Sequence, residues 1–119
     1  MKKLLLVDDD ESNRLTLSVL LEDEGYEVDV ASSFAEASRI IAAGPRYDAV
    51  LLDQHLGDGL GLDLLGALRE RLPGAKAILI SGSINEHDGV AFGADAVLLK
   101  ATPFPELLER LRSALGEEG

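Results

Sequence analysis

The sequence predicts an α/β domain in which five parallel strands form one sheet with helices on both faces. Short apolar runs alternate with segments of helical periodicity five times along the chain, and this alternation is typical of parallel sheets joined by helical crossovers. The chain has 119 residues, 46% of them hydrophobic, which suits one packed core. We expect one domain over residues 1–119, with its core at about 3–115 and a frayed tail at 116–119.

The predicted strands are short and end at polar or turn-forming residues. They span residues 3–7, 27–31, 48–52, 75–80 and 94–99. The first is apolar after its lysine, which suits a strand buried on both faces. The second alternates Val28 and Val30 with charged residues, which indicates an edge strand or one that is less buried than its neighbours.

The first predicted helix spans residues 12–24, where apolar residues recur at helical spacing. Ser12 can cap its N-terminus, and Gly25 ends it. The side expected to be apolar carries Leu15, Val19, Leu20 and Leu21.

The second and third helices have clear start or stop residues. Ser33 and Glu36 have the spacing of a capping box at the start of the second helix, which stops at Gly44-Pro45. The third spans residues 62–72. Before it lies a loop with closely spaced glycines, but no lysine follows them as a phosphate-binding P-loop requires.

The sequence predicts the fifth helix more clearly than the fourth. Residues 86–92 can hold only a short fourth helix, and Gly89 weakens it. The fifth helix has Thr102 as its expected N-cap and Pro103 at its first position. Its apolar stripe consists of Leu107, Leu108, Leu111 and Leu115.

Composition excludes several classes of function. The net charge of −11 disfavours direct nucleic-acid binding, because phosphates would be repelled. The absence of cysteine excludes disulfides and makes a zinc site improbable. No stretch approaches the ~20 apolar residues of a membrane span, and the N-terminal apolar run is too short for a signal peptide. We therefore expect a cytoplasmic protein.

Polar residues follow four of the predicted strands. They are Asp8-Asp9-Asp10, Asp53, Ser81 and Lys100. Ligands of open parallel sheets bind at the carboxyl ends of the strands, so these side chains should share one rim. Converging carboxylates need a cation, because two of them about 4 Å apart repel by roughly 4 kcal/mol at an effective dielectric constant of 20.

The residue types at this rim fit phosphoryl chemistry. All-oxygen ligands suit Mg²⁺, which would be held by Asp53, by Asp8 or Asp9, by a backbone carbonyl and by water. Lys100 suits a phosphate oxygen, and the Ser81 hydroxyl can donate a hydrogen bond to the same group. The Asp53 carboxylate is the expected nucleophile, which would form an aspartyl phosphate.

Four motifs in order, LLLVDDD, VLLDQHLGDGLGLDLL, ILISGS and VLLKATPF, resemble the receiver domain of response regulators in two-component signalling. The resemblance covers residues 3 to about 115. It implies a CheY-like, flavodoxin-like (βα)5 fold with strand order 2-1-3-4-5. It also implies a phosphoacceptor signalling switch rather than an enzyme, with at most slow self-dephosphorylation.

The resemblance assigns a role to each residue at the rim. Asp53 would receive the phosphoryl group from a phosphohistidine of a histidine kinase or phosphotransfer domain. Asp8, Asp9, Asp53 and the backbone carbonyl of His55 would hold Mg²⁺. Ser81 would turn toward the phosphoryl group and Lys100 would form a salt bridge with it, shifting the face of the fourth and fifth helices. The output partner is open, and the protein would be a monomer or a weak dimer without contact to nucleic acid or membrane.

The sequence departs from the family pattern around this rim. Gly57 stands where the family usually has proline, which predicts a more mobile loop. Ala101 and Thr102 precede Pro103 where the family has proline directly after the lysine, so we expect a trans peptide or a rearranged turn. Val97 replaces the aromatic residue that commonly rotates with the switch hydroxyl.

The roles of four side chains and two alternative functions are considered at this point. Asp10 is interpreted as a loop or helix-start carboxylate. His55 is either an exposed loop residue or a modulator of aspartyl-phosphate lifetime, and Ser83 either flanks the site or has no role. His87 is expected to be exposed. The alternatives to a switch are a pseudo-receiver interaction module and a phosphohydrolase, whose usual second aspartate is replaced by His55.

Overall fold

The computed structural model describes residues 2–82 and 93–117. Its five strands form one parallel sheet in the order β2-β1-β3-β4-β5. The strands are β1 Lys3–Val7, β2 Glu27–Ala31, β3 Ala49–Asp53, β4 Lys76–Ser81 and β5 Ala96–Leu99. The predicted architecture is therefore confirmed, and so is the edge position of β2. The fourth predicted helix, residues 86–92 with His87, lies outside the described residues, and so does Ser83.

Helices connect the strands as the alternation predicts. They are α1 Glu11–Asp23, α2 Phe34–Ala42, α3 Leu65–Arg71 and α4 Phe104–Ala114, the last being the fifth predicted helix. A short 3-10 turn, Gly61–Leu64, precedes α3. Two residues of the predicted tail still bond to α4: the amide of Gly116 donates to Ser113 and that of Glu117 to Arg112.

The helices cover both faces of the sheet, as strands buried on both sides require. Leu21 of α1 and Leu111 of α4 pack on the face that carries Leu6 and Leu51. Ala37 and Ile41 of α2, together with Leu65 and Leu68 of α3, pack on the opposite face. All five residues of β3 are buried, so the end of this strand is held firmly in the centre of the sheet.

The N-cap of α1 is Asp10 rather than the predicted Ser12. The Asp10 carboxylate accepts a hydrogen bond from the amide of Asn13 at 3.1 Å, and the helix begins at Glu11. Both residue types make good caps. Asp10 is the cap because the helix already begins at the next residue, Glu11.

The apolar side predicted for α1 is partly wrong. Leu15 and Val19 are 64% and 48% exposed, whereas Leu21 is fully buried and Leu17 packs beside it. Residues two apart on a helix point roughly 200° apart, so the 15/19 and 17/21 pairs cannot both face the sheet. The sequence contains both stripes, and the sheet covers only the second.

The start of α4 also differs from its prediction. Pro103, not Thr102, is the N-cap, and it makes no side-chain capping bond. The amide of Thr102 instead donates to the carbonyl of Leu99 at 3.0 Å, which closes a turn after β5. The described residues contain no cis peptide bond, so this turn is trans as expected.

Among the described helices, none is long and apolar enough to cross a membrane.

Gly61 lies in the turn after β3, where the turn packs closely against the end of the strand. A Cβ atom at Gly61 would lie 2.6 Å from the carbonyl oxygen of Asp53, whereas one at Gly66 would meet nothing within 4 Å. We predict that Gly61→Ala lowers the free energy of unfolding by about 1–3 kcal/mol. Gly66→Ala, inside a helix, should raise it by about 0.5–1 kcal/mol. Urea denaturation measures both, and a Gly61→Ala variant as stable as wild type would contradict this packing.

Candidate functional site

Four strand ends meet at one edge of the sheet, as the sequence predicts. Asp53 is the last residue of β3 and Ser81 the last of β4, while Asp8 and Lys100 directly follow β1 and β5. Backbone hydrogen bonds continue past the strands and fix these positions. The amide of Gln54 donates to Ile80 at 2.8 Å, and that of Lys100 donates to Ser81 at 2.8 Å.

Asp8, Asp9 and Asp53 form a compact group of carboxylates. One oxygen of each lies within 4.8 Å of the others; Asp8 and Asp53 are buried, while Asp9 is exposed. The Oδ2 atom of Asp53 is buried and accepts no hydrogen bond of normal geometry. Such an all-oxygen, partly open group fits a hard divalent cation that keeps some of its water.

Lys100 supplies a positive charge to this group. Its Nζ atom lies 3.0 Å from Oδ2 of Asp53, whose side chain is only 2% exposed, whereas the lysine side chain is 40% exposed. This close contact with the Asp53 carboxylate raises the pKa of Lys100 above its usual value. The ammonium therefore stays charged at physiological pH and reaches Asp53 despite the altered turn at Ala101 and Thr102.

The pKa of Asp8 is raised above that of an ordinary surface carboxylate. Burial raises its pKa most, and the nearby charge of Asp53 adds to the rise. The amide of Asp10, which donates to Asp8 Oδ1 at 2.9 Å, acts in the opposite direction. Three carboxylates beside one lysine leave the group with excess negative charge when all three are ionised.

The loop after Asp53 folds back toward the Asp53 side chain. The amide of His55 donates to Asp53 Oδ1 at 3.2 Å, and His55 pairs with Leu60 in an isolated antiparallel bridge. Gly57 at the tip has a φ of +54°, a conformation that proline, fixed near −65°, cannot adopt. The turn at Gly57 therefore differs from the turn that a proline at this position would form.

The remaining predicted residues lie where the sequence placed them. Ser81 is fully buried at the end of β4, and Val97 is buried in β5. His55 is exposed. The roles of the Ser81 hydroxyl and of the His55 carbonyl remain predictions.

A cavity of about 180 Å³ opens from the site between α1 and α4. Asp8, Asp53 and Lys100 lie at its polar end, and Leu17 and Phe104 are part of its apolar lining. The cavity therefore connects the acidic group with the space between α1 and α4.

Sequence reasoning missed one side chain that supports the acidic loop. Nη1 of Arg14 donates to the backbone carbonyl of Asp8 at 2.9 Å. Because Arg14 lies one turn into α1, this bond fixes the β1–α1 loop against the helix. An arginine on a helix carries no local signal that it folds back on the preceding strand.

Comparison with known proteins agrees with this geometry. The chain matches the family model described as the response regulator receiver domain over residues 4–112. It is 37% identical over 103 residues to the photosynthetic apparatus regulatory protein RegA of Cereibacter sphaeroides, a match that covers 87% of this chain and 53% of RegA. The chain thus spans about half the length of that relative.

Two solved structures have the same fold. The response regulator TrrA of Thermotoga maritima, in complex with Mg²⁺ and beryllofluoride, is 34% identical with a TM-score of 0.85, covering 96% of this chain and 99% of TrrA. A response regulator of Burkholderia pseudomallei with a phosphorylated aspartic acid and a calcium ion is 30% identical with a TM-score of 0.86, covering 98% and 70%. The chain belongs to the response regulator receiver domain family.

Proposed function

We propose that this domain is a phosphoacceptor switch in which Asp53 takes a phosphoryl group from a phosphohistidine of a histidine kinase or phosphotransfer protein. One observation carries the proposal. The buried Asp53 carboxylate sits in a group of three acids with Lys100 Nζ at 3.0 Å. A buried carboxylate in such a place is suited to nucleophilic attack on phosphorus rather than to stabilising the fold.

The transfer needs little from the protein beyond positioning and charge. An Asp53 oxygen attacks phosphorus, the new P–O bond forms, and the P–N bond to the donor imidazole breaks. Lys100 then pairs with a phosphoryl oxygen. The amide of His55, already bonded to Asp53 Oδ1 at 3.2 Å, orients the acceptor for this attack.

The residues present fit Mg²⁺ as the cation. Asp8, Asp9 and Asp53 would hold it with the backbone carbonyl of His55 as the further protein ligand. When bound, it offsets the negative charge of the acids and of the incoming phosphoryl oxygens. Mg²⁺ and beryllofluoride in TrrA and the phosphorylated aspartic acid in the Burkholderia protein support this assignment.

Phosphorylation would shift a two-state equilibrium of the domain. The acyl phosphate carries about −2 charge, in place of the single negative charge of the carboxylate. It would lie next to Ser81, whose hydroxyl would turn toward the phosphoryl group. Since the carbonyl of Ser81 bonds to the amide of Lys100 at 2.8 Å, movement at the end of β4 reaches the end of β5. The predicted readout is the face formed by the fourth and fifth predicted helices.

The pseudo-receiver alternative rests on the altered turn after Lys100. The position of Lys100 Nζ at 3.0 Å from Asp53 favours phosphoryl control instead, because the turn keeps the lysine at the site. The switch is proposed to act as an acceptor with at most slow self-dephosphorylation, not as an enzyme. The partner that the chemistry of this site supports is a protein that donates a phosphoryl group from a phosphohistidine.

Titration with Mg²⁺ and beryllofluoride tests acceptance at Asp53. We predict that Mg²⁺ alone shifts the amide resonance of Asp53, its proposed ligand. Beryllofluoride should shift the amide resonance of Ser81 only when Mg²⁺ is present, since the fluoride complex stands in for a phosphoryl group. Asp53→Asn should abolish the response while keeping the fold. A wild-type protein without any Mg²⁺-dependent change would contradict the proposed function.

The excess charge of the site predicts that Asp8→Asn stabilises the cation-free protein at pH 7. The amide oxygen of Asn still accepts from Asp10, while the charge that faces Asp53 is gone. We expect a rise in unfolding free energy on the order of 1 kcal/mol in EDTA. Mg²⁺ should then stabilise the wild type more than the variant. Asp23→Asn, an exposed acid at the end of α1, is the control. An Asp8→Asn protein less stable than wild type in EDTA would refute the charge argument.

His55 provides a test of the phosphoryl lifetime. Its side chain is exposed two positions after Asp53, on the path by which water would reach the aspartyl phosphate. We predict that His55→Asn and His55→Ala change the first-order rate of dephosphorylation several-fold, measured by loss of phosphoprotein after removal of the donor. Unchanged rates in both variants would show that His55 is only a loop residue.

A further inference from the structure

The N-terminus of α2 is capped by two side chains, and one of them comes from the acceptor loop. The hydroxyl of Ser33 accepts from the amide of Glu36 at 3.0 Å, which is the local cap. The preceding amides, of Phe34 and Ala35, donate to the two carboxylate oxygens of Asp58 at 2.8 and 3.1 Å. Asp58 thus binds the first turn of α2 with both of its oxygens, from 23 and 24 residues away.

The contact is built from more than one residue. A Cβ atom at Gly59 would lie 2.6 Å from the ring of Phe34, so only glycine lets the loop come this close to α2. The pKa of Asp58 is lowered by the hydrogen bonds from Phe34 and Ala35. Its carboxylate therefore stays ionised and available as a double acceptor, in line with the charge preference of a helix N-terminus.

The same loop borders the acidic group. A Cβ atom at Gly57 would be 3.3 Å from Oδ2 of Asp9, and the amide of His55 bonds to Asp53 Oδ1. Leu56 and Gly59 are joined across the turn by a backbone hydrogen bond of 3.0 Å. A shift of Asp58 would therefore move the segment that faces Asp9 and carries the proposed carbonyl ligand of His55.

We propose that Asp58 is a positioning residue for the cation and phosphoryl site: by clamping the acceptor loop onto α2, it takes over the restraint that a proline at residue 57 would give. The inference rests on the proposed function and deepens it. It makes α2 part of the support of the site, although α2 contributes none of the acidic group Asp8, Asp9 and Asp53.

Two variants separate positioning from simple helix capping. Asp58→Ala removes the clamp, and Ser33→Ala removes the other cap of the same helix without touching the loop. Both should lower stability in urea denaturation. Only Asp58→Ala should weaken Mg²⁺ binding, by about tenfold, as expected when a residue that orients ligands is lost. Titration calorimetry with MgCl2, at a temperature where all variants are folded, measures the affinity.

The conservative variant Asp58→Asn should restore part of the Mg²⁺ affinity that Asp58→Ala loses. Its single amide oxygen can accept from one of the two amides, so its Mg²⁺ affinity should fall between those of the wild type and Asp58→Ala. In the wild type, Mg²⁺ with beryllofluoride should also shift the amide resonances of Phe34 and Ala35, and this shift should vanish in Asp58→Ala.

The possible outcomes are distinct. If Asp58→Ala and Ser33→Ala lose stability alike and bind Mg²⁺ as tightly as the wild type, Asp58 is only a cap and the inference is wrong. If the wild type itself binds no Mg²⁺, the proposed function fails and the inference fails with it. Weakened binding in Asp58→Ala alone, with partial recovery in Asp58→Asn, would establish the positioning role.

Discussion

The close approach of three carboxylates is the constraint on which the rest of this site depends. Asp8 and Asp53 cannot move apart to relieve their repulsion, because β1 and β3 hold them from two neighbouring strands in the buried centre of the sheet. The burial of Asp8 and the charge of Asp53 both raise the pKa of Asp8. Packing of the hydrophobic core thus holds the acids in an arrangement that their own electrostatics oppose.

The surrounding structure compensates for part of this cost. Lys100 pairs with Asp53, and the amide of Asp10 donates to Asp8. Arg14 fixes the loop between β1 and α1 by donating to the carbonyl of Asp8. These contacts neutralise one charge and orient the others. In the proposed function, the charge imbalance that remains would attract a cation and, with a cation bound, a phosphoryl group.

Much of this could be predicted from the sequence, because the deciding signals are local. A buried strand followed by an acid, as at Val7-Asp8 and Leu52-Asp53, places the acid at the carboxyl edge whatever the rest of the chain does. The order of the strands followed from the family resemblance, which also implied a salt bridge from Lys100 to the phosphoryl group. The pairing of Lys100 with the Asp53 carboxylate itself was seen only in the structure. The choice of stripe on α1 was not local, since Leu15 and Leu17 differ only in which one the sheet covers.

The bond between Asp58 and α2 could not be predicted for the same reason. Its partners are 23 and 24 residues away, and an aspartate between two glycines has the appearance of an ordinary turn. The absent proline at residue 57 was visible and predicted a more mobile loop, but the contact between the loop and α2 was not predicted. The positive φ of Gly57 and the close approach of Gly59 to Phe34 arise only when the loop meets α2.

Chemical phosphorylation tests the central claim most directly. The protein is incubated with a small phosphoryl donor such as phosphoramidate, with Mg²⁺ or with EDTA, and the modified residue is located by mass spectrometry after borohydride reduction of the acyl phosphate. The account predicts one phosphoryl group on Asp53, formed with Mg²⁺ and not with EDTA. Modification at another residue, or none in the presence of Mg²⁺, would contradict it.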